Sequence, residues 1–184
     1  MDTAFDLLGT AGWSGTSVRA VCQGAKLNPR YFYESFEDLD ELVVAVYDRV
    51  IGELTTVVLD AIDGAPDDPA DQLRAIVAGT VAFVDDDRRR ARVLYVEALG
   101  NEALNRRRID TGHDTVAFVQ AFGRERRDAA PDDGHLGAVA ASILVGGFSE
   151  LLVAWIEGRL AITRQQLIDD ATTLFLALGE AASG

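Results

Sequence analysis

The chain has 184 residues, of which 48% are hydrophobic, and a formal net charge of −13. That length and apolar content support a sizeable core, and the charge excludes a protein that holds nucleic acid through a generally basic surface. A single cysteine excludes an internal disulfide framework and fits a reducing cytoplasm, as does the lack of a basic run after Met1-Asp2 that would open a signal peptide.

Ala4, Phe5, Leu7, Leu8 and Ala11 recur with a helical period, and Gly12 stops that helix. Thr16 or Ser17 caps a second helix reaching about residue 24, and Asn28 caps a third with Pro29 at its first position. Glu37 and Asp38 begin a long helix over about 37–63, with acids at the positive end of its dipole and an inner stripe of Leu39, Leu42, Val43, Val46, Tyr47 and Val50. A Gly/Pro break at 64–69 precedes a helix over 70–84. The run Asp85-Asp86-Asp87 caps one continuous helix over 88–99. Gly100-Asn101 allows a bend into a helix reaching about residue 127. After a second break at 130–134 come a very apolar helix over 135–158 and a last helix over 163–178, capped by Thr163. The expectation is an all-α chain of nine helices.

The charge is unevenly spread. Residues 1–50 carry four basic and eight acidic residues, net −4, and the other 134 carry thirteen and twenty-two, net −9. Yet between Leu7 and Tyr33 stand three basic residues, Arg19, Lys26 and Arg30, and no acid. This acid-free window coincides with the two short helices joined by a tight turn. That is the pattern of a helix-turn-helix whose second helix enters a DNA groove.

Over about residues 4–47 the sequence resembles the tetracycline-repressor (TetR) family of bacterial transcription regulators. The residues that carry the resemblance are Ala4, Leu8, Gly12-Trp13 and Thr16-Ser17-Val18-Arg19, then Leu27-Asn28, Tyr33, Phe36 and Glu41-Leu42. Beyond them it rests on helix number, order and length. The resemblance implies a two-domain homodimer, with a DNA-binding head at 1–47 and a helical ligand-binding and dimerisation domain at 48–184. It also implies a cytoplasmic regulator, repressor in sign, that leaves a pseudo-palindromic operator when a small effector binds. Three features depart from the family pattern: Lys26 replaces the usual turn glycine unless Gly24 shifts the turn, Leu39 replaces a phosphate-binding lysine, and no basic arm precedes the first helix.

Within the head, Asn28, Pro29, Arg30 and Tyr31 would face base edges. Arg30 suits guanine, and Asn28 suits adenine or a phosphate. Arg19 and Tyr33 would hold phosphates, and Thr16 and Ser17 offer hydroxyls beside helix N–H groups. Cys22 reads as core packing, with a thiol switch as the rival reading.

The pocket candidates are large apolar residues of the middle helices: Phe83, Tyr95, Leu99, Phe118, Phe122, Phe148, Leu152 and Trp155. Tyr95, Asn105, His113 and Ser149 would be polar handles, and the effector is expected to be hydrophobic. The segment 136–156 is nearly long and apolar enough to span a membrane. Glu150 and its small residues favour instead a hairpin with the last helix, paired with a second copy in a four-helix bundle.

The spacings Asp110…His113 and Asp132…His135 resemble half of a di-iron motif, but the second falls in a loop, so no metal or other cofactor is expected. No phosphate-cradling glycine loop and no Ser/His/Asp arrangement stands out, so no catalytic residue is expected. Two rivals to a regulator remain at this level. One is a helical small-molecule-binding protein with weak or lost DNA binding; the other is a metal-dependent helical enzyme.

Overall fold

The computed structural model describes residues 1–125 and 134–182. Among them are nine α-helices and no strand: α1 Asp2–Gly15, α2 Val18–Ala25, α3 Pro29–Tyr33, α4 Leu39–Gly64, α5 Pro69–Asp86, α6 Arg88–Ala91, α7 Glu102–Glu125, α8 Gly134–Ile156 and α9 Arg164–Ala181. The expected end of the seventh helix at about residue 127 and the Asp132 of the second Asp/His spacing lie outside the described residues.

Local chemistry sets most of the boundaries. Gly12, at φ 74°, interrupts α1. Ser17 is the N-cap of α2, its hydroxyl accepting the Ala20 N–H, and Asn28 caps α3 by accepting the Arg30 N–H. Asp38 accepts the Glu41 N–H at 2.9 Å while the Glu41 carboxylate accepts the Glu37 N–H, which fixes the start of α4. Asp87 caps α6, and Thr163 with Gln166 forms a reciprocal capping box at α9.

One expected helix is divided in three. After α6 the chain widens into a π-helical turn at Arg92–Val96 and then tightens into a 3-10 turn at Glu97–Gly100. The polar bonds of Glu97 account for this. Its carboxylate is held by the Trp13 backbone and by Arg92, and the widened turn brings Glu97 N–H onto the Arg92 carbonyl.

The described chain packs as two compact units. The first comprises residues 1–55 and 83–109, the second 56–82 and 110–184. In the first, α1 packs against α2, α6 and the two irregular turns, and α2 packs against α3. Its core includes Ala4, Leu8, Val21, Cys22, Phe32, Leu42, Val46, Tyr47, Val93 and Leu94, all buried. The inner stripe of α4 is therefore buried as expected, apart from half-buried Leu39. The approach of α1 to α6 is so close that a Cβ on Gly9 would stand 2.4 Å from the Arg89 Cβ. In the second unit α8 packs on α9, with Leu152, Leu167, Ile168 and Ala171 buried.

Candidate functional site

The turn between α2 and α3 settles how the head is built. Lys26 adopts the left-handed conformation, φ 55° and ψ 38°, and its N–H donates back to the α2 carbonyls of Cys22 and Gln23. Gly24 stays inside α2, so the turn is not shifted to the glycine. A Cβ in this conformation costs roughly 1–2 kcal/mol, offset here by core packing on both sides. The anchors are Val21 and Cys22 from α2 and Phe32 from α3. The Phe32 ring packs edge-on to Tyr33 at 5.2 Å and against Phe36 at 5.8 Å. Cys22 is buried, as the core reading of this residue expects.

With those side chains turned inward, the opposite face presents its polar groups to solvent. Ser17, Arg19, Lys26, Asn28, Pro29 and Arg30 are all exposed, and Tyr31 and Tyr33 are 58% and 62% exposed. Arg30 is not idle in the free protein. Its Nε donates to Glu34 Oε1 at 3.0 Å, one helical turn on, which leaves the two terminal nitrogens as an outward fork. Asn28 spends its carbonyl oxygen on the α3 cap, leaving its amide N–H groups to donate outward. Thr16 differs from the rest. It is buried, and its hydroxyl donates to the Gly12 carbonyl at 2.8 Å. Leu39 is half-buried at the head of α4.

Of the expected pocket residues, Tyr95 lies in the first unit, while His113, Phe118, Phe122, Phe148 and Trp155 lie in the second. Burial pushes the Tyr95 phenol well above its ordinary pKa, with the nearby Tyr47 adding to the shift, so it stays neutral across the physiological range. Phe83 and Leu152 are buried, whereas Leu99, His113 and Phe118 are exposed. Phe118 and Phe122 stack one turn apart on α7 at 6.0 Å. Phe148 meets Phe175 of α9 edge-on at 5.3 Å, and the Trp155 indole N–H donates to the Ile162 carbonyl at 3.0 Å. These two contacts tie α8 to α9 and to the link between them. The Ser149 hydroxyl donates back to Val145 within α8. Among the described residues no three of His, Cys, Asp and Glu gather into a metal site.

The second unit also carries an apolar face that periodicity alone could not locate. Leu136, Val139 and Ile143 of α8 are exposed, as are Gly146 and Gly147 one turn further on and Leu174 of α9. A Cβ placed on either glycine would meet nothing within 4 Å. The segment His135–Ile156, of mean hydropathy 1.9, is long and apolar enough to cross a membrane.

No protein-family model matches the chain, and no curated protein matches it in sequence. Solved structures do match in fold. A transcriptional regulator from Rhodococcus sp. Rha1 superposes with a TM-score of 0.79 at 18% identity, over 100% of this chain and 95% of that one. The fatty acid degradation regulator FadR from Bacillus halodurans gives 0.79 at 15% identity, over 95% of each chain. A TetR-like transcriptional regulator from Rhodococcus sp. RHA1 gives 0.70 at 22% identity, over 97% and 90%. The chain is folded as the TetR-family transcriptional regulators are.

Proposed function

We propose that the protein is a homodimeric, DNA-binding transcriptional regulator that releases its operator when a small effector binds. The observation that carries this reading is the face of α2 and α3: an acid-free stretch that exposes two tyrosines and three basic side chains in a chain of net charge −13. In this reading α3 lies in the major groove. Arg30 and Tyr31 read base edges beside Pro29, and Arg19, Ser17, Asn28 and Tyr33 hold phosphates. Thr16, with its hydroxyl bonded inward, acts by shaping the entry to α2. Residues 1–47 form the reading head and 48–184 the effector and dimer domain.

The dimer forms through α8 and α9. Their exposed apolar face fits burial against a second copy, and the bare glycines allow close helix approach. Two heads then sit about 34–36 Å apart on a pseudo-palindromic site. An effector held by the helices of the second unit, with His113, Phe118, Phe122, Phe148 and Trp155 as candidate contacts, favours a different head spacing. By linkage, DNA weakens effector binding by the same factor. The α4 helix, unbroken from Leu39 to Gly64, is the natural connector. The sign is repression, and the working compartment is the cytoplasm.

The test is selection of duplex DNA from a random library by the intact protein, followed by anisotropy titrations at several salt concentrations. Wild type should select a two-fold symmetric site with salt-dependent affinity. Arg30→Ala should lose sequence preference, and Tyr33→Phe should weaken all sequences alike. A protein that enriches no sequence, or variants that bind as wild type does, would sink the recognition-helix assignment.

A further inference from the structure

Lys26 stands in the turn between α2 and α3 at φ 55°, the only positive φ at a non-glycine among the described residues. Backbone bonds fix it there. The Lys26 N–H donates to the Gln23 carbonyl and the Leu27 N–H donates to the Cys22 carbonyl at 2.9 Å, the paired bonds that close a helix on a left-handed residue. Two residues on, Asn28 caps α3. A Cβ crowds the backbone in this conformation and costs stability, and glycine would avoid the cost.

The lysine side chain does nothing within the chain to offset that cost. It is exposed, and its ammonium makes no ion pair or hydrogen bond with any described residue. Arginines of the same compact unit show the contrast: Arg49 binds Asp2, Arg89 binds Asp87, Arg92 binds Glu97 and Arg107 binds Asp48. In the head, Arg30 is bonded to Glu34. The residue type is as informative as its place, because the chain holds one lysine among seventeen basic residues. A guanidinium is a planar fork suited to a two-point partner, whereas an ammonium is a compact charge on a flexible stem. Such a group suits a single phosphate oxygen, a contact that positions a protein on DNA without reading its sequence. Backbone strain of this kind gathers at sites used in binding.

We infer that Lys26 is a DNA-backbone contact of the reading head, its ammonium pairing with one phosphate in each half-site. This rests on the regulator reading above and deepens it. The acid-free stretch from Leu7 to Tyr33 leaves no neighbouring carboxylate in sequence to compete with that phosphate. The rigid turn holds the stem of the side chain in place, so little backbone order is lost on binding. The position exchanges stability of the free head for affinity, so the two move in opposite directions when the lysine is replaced.

The experiment titrates the intact protein and three variants against the duplex that wild type selects from a random library. Anisotropy is read over a series of salt concentrations, with thermal unfolding in parallel. Lys26→Gly and Lys26→Asn both accept the left-handed turn and lack the charge. Each should unfold at a higher temperature than wild type and yet bind DNA about tenfold more weakly per head, the value of one charge-assisted bond. The slope of log affinity against log salt should become shallower by about one per head. The base preferences of the site should not change, and Lys26→Arg should keep the wild-type slope. Wild-type slopes in Lys26→Gly and Lys26→Asn, or altered base preferences, would overturn the assignment. Variants that unfold more easily than wild type would show that the lysine serves the fold, which overturns it as well. A wild type that selects no duplex defeats the regulator reading and this inference together. A wild type that selects one, with a slope indifferent to the lysine charge, defeats this inference alone.

Discussion

The carboxylate of Glu97 accepts the backbone N–H of Trp13 at 2.8 Å, across 84 residues of sequence. Its other oxygen pairs with Arg92 at 2.5 Å, and Arg92 in turn donates to the Thr10 carbonyl at 3.0 Å. The end of α1 is thus pinned to the π-helical turn by three polar bonds around one largely buried acid, 11% exposed at its side chain. Gly12 is needed twice at this junction. Its φ of 74° suits glycine, and a Cβ there would stand 2.7 Å from Glu97 Oε2.

Glu97→Ala should therefore destabilise the protein by about 2 kcal/mol, because it strands both the Trp13 N–H and the Arg92 guanidinium. Gly12→Ala should cost about the same through backbone strain, and the two changes together should cost less than their sum because they disrupt one junction. Urea unfolding of the single and double variants checks this. Full additivity would mean that the two positions are independent.

Lys26 offers the opposite sign. Its left-handed conformation is the only positive φ at a non-glycine among the described residues. Lys26→Gly should stabilise the head by about 1 kcal/mol, while Lys26→Val should destabilise it. If thermal unfolding shows Lys26→Gly to be the weaker protein, the turn does not hold this conformation in solution.

These two positions also show what was legible in the sequence. Caps and turns are short-range, so Asn28 and Thr163 could be placed by eye, as could the helix order, while the caps at Ser17 and Asp87 were narrowed to Thr16 or Ser17 and to the run Asp85-Asp86-Asp87. Whether Lys26 or Gly24 would take the turn could not, because that depends on which register lets Val21, Cys22 and Phe32 reach the core together. The division of 88–100 into three pieces was hidden for the same reason: its cause, Trp13, is far away in sequence. For the site, the acid-free window was visible as charge. The inward hydroxyl of Thr16 depends on packing and could not be read from spacing.

Acid should unfold the protein partly through Asp87. The Arg89 side chain bonded to it holds its carboxyl below the ordinary 3.8, against a smaller opposing effect of burial, and the Arg89 backbone N–H adds to the lowering. A lowered folded-state pKa gives stability that is complete above the unfolded value and is lost as pH falls through the folded one. Asp2 beside Arg49 and Asp169 beside Arg74 are shifted in the same direction. Urea midpoints measured from pH 6 downward should fall below about pH 4. Asp87→Asn keeps the helix cap but lacks the charge, so its midpoint should fall less over that window. An identical acid limb in both proteins would exclude Asp87 as a contributor.

The apolar face of α8 gives the prediction with the clearest readout. Leu136, Val139 and Ile143 lie on one side of the helix at spacings of three and four residues, and all three are more than half or about half exposed. A side like this, left open to water, would promote disordered association unless one partner covered it. In the proposed dimer a second copy covers it by two-fold symmetry, so each substitution acts twice. Ile143→Glu then places two carboxylates in the middle of the apolar interface and removes two buried side chains. The loss of about 2 kcal/mol of apolar burial per copy, with charge desolvation added, should weaken the dimer by more than about a hundredfold. Sedimentation at micromolar concentration should show wild type as a dimer and Ile143→Glu as a 19.8 kDa particle. The variant's helical circular dichroism should match that of wild type, because Ile143 is exposed and the substitution leaves the packing within the subunit unchanged. Operator binding should fall steeply with it, since a single head holds only one half-site. A wild-type monomer, or an Ile143→Glu protein that remains dimeric, would place the interface on some other face.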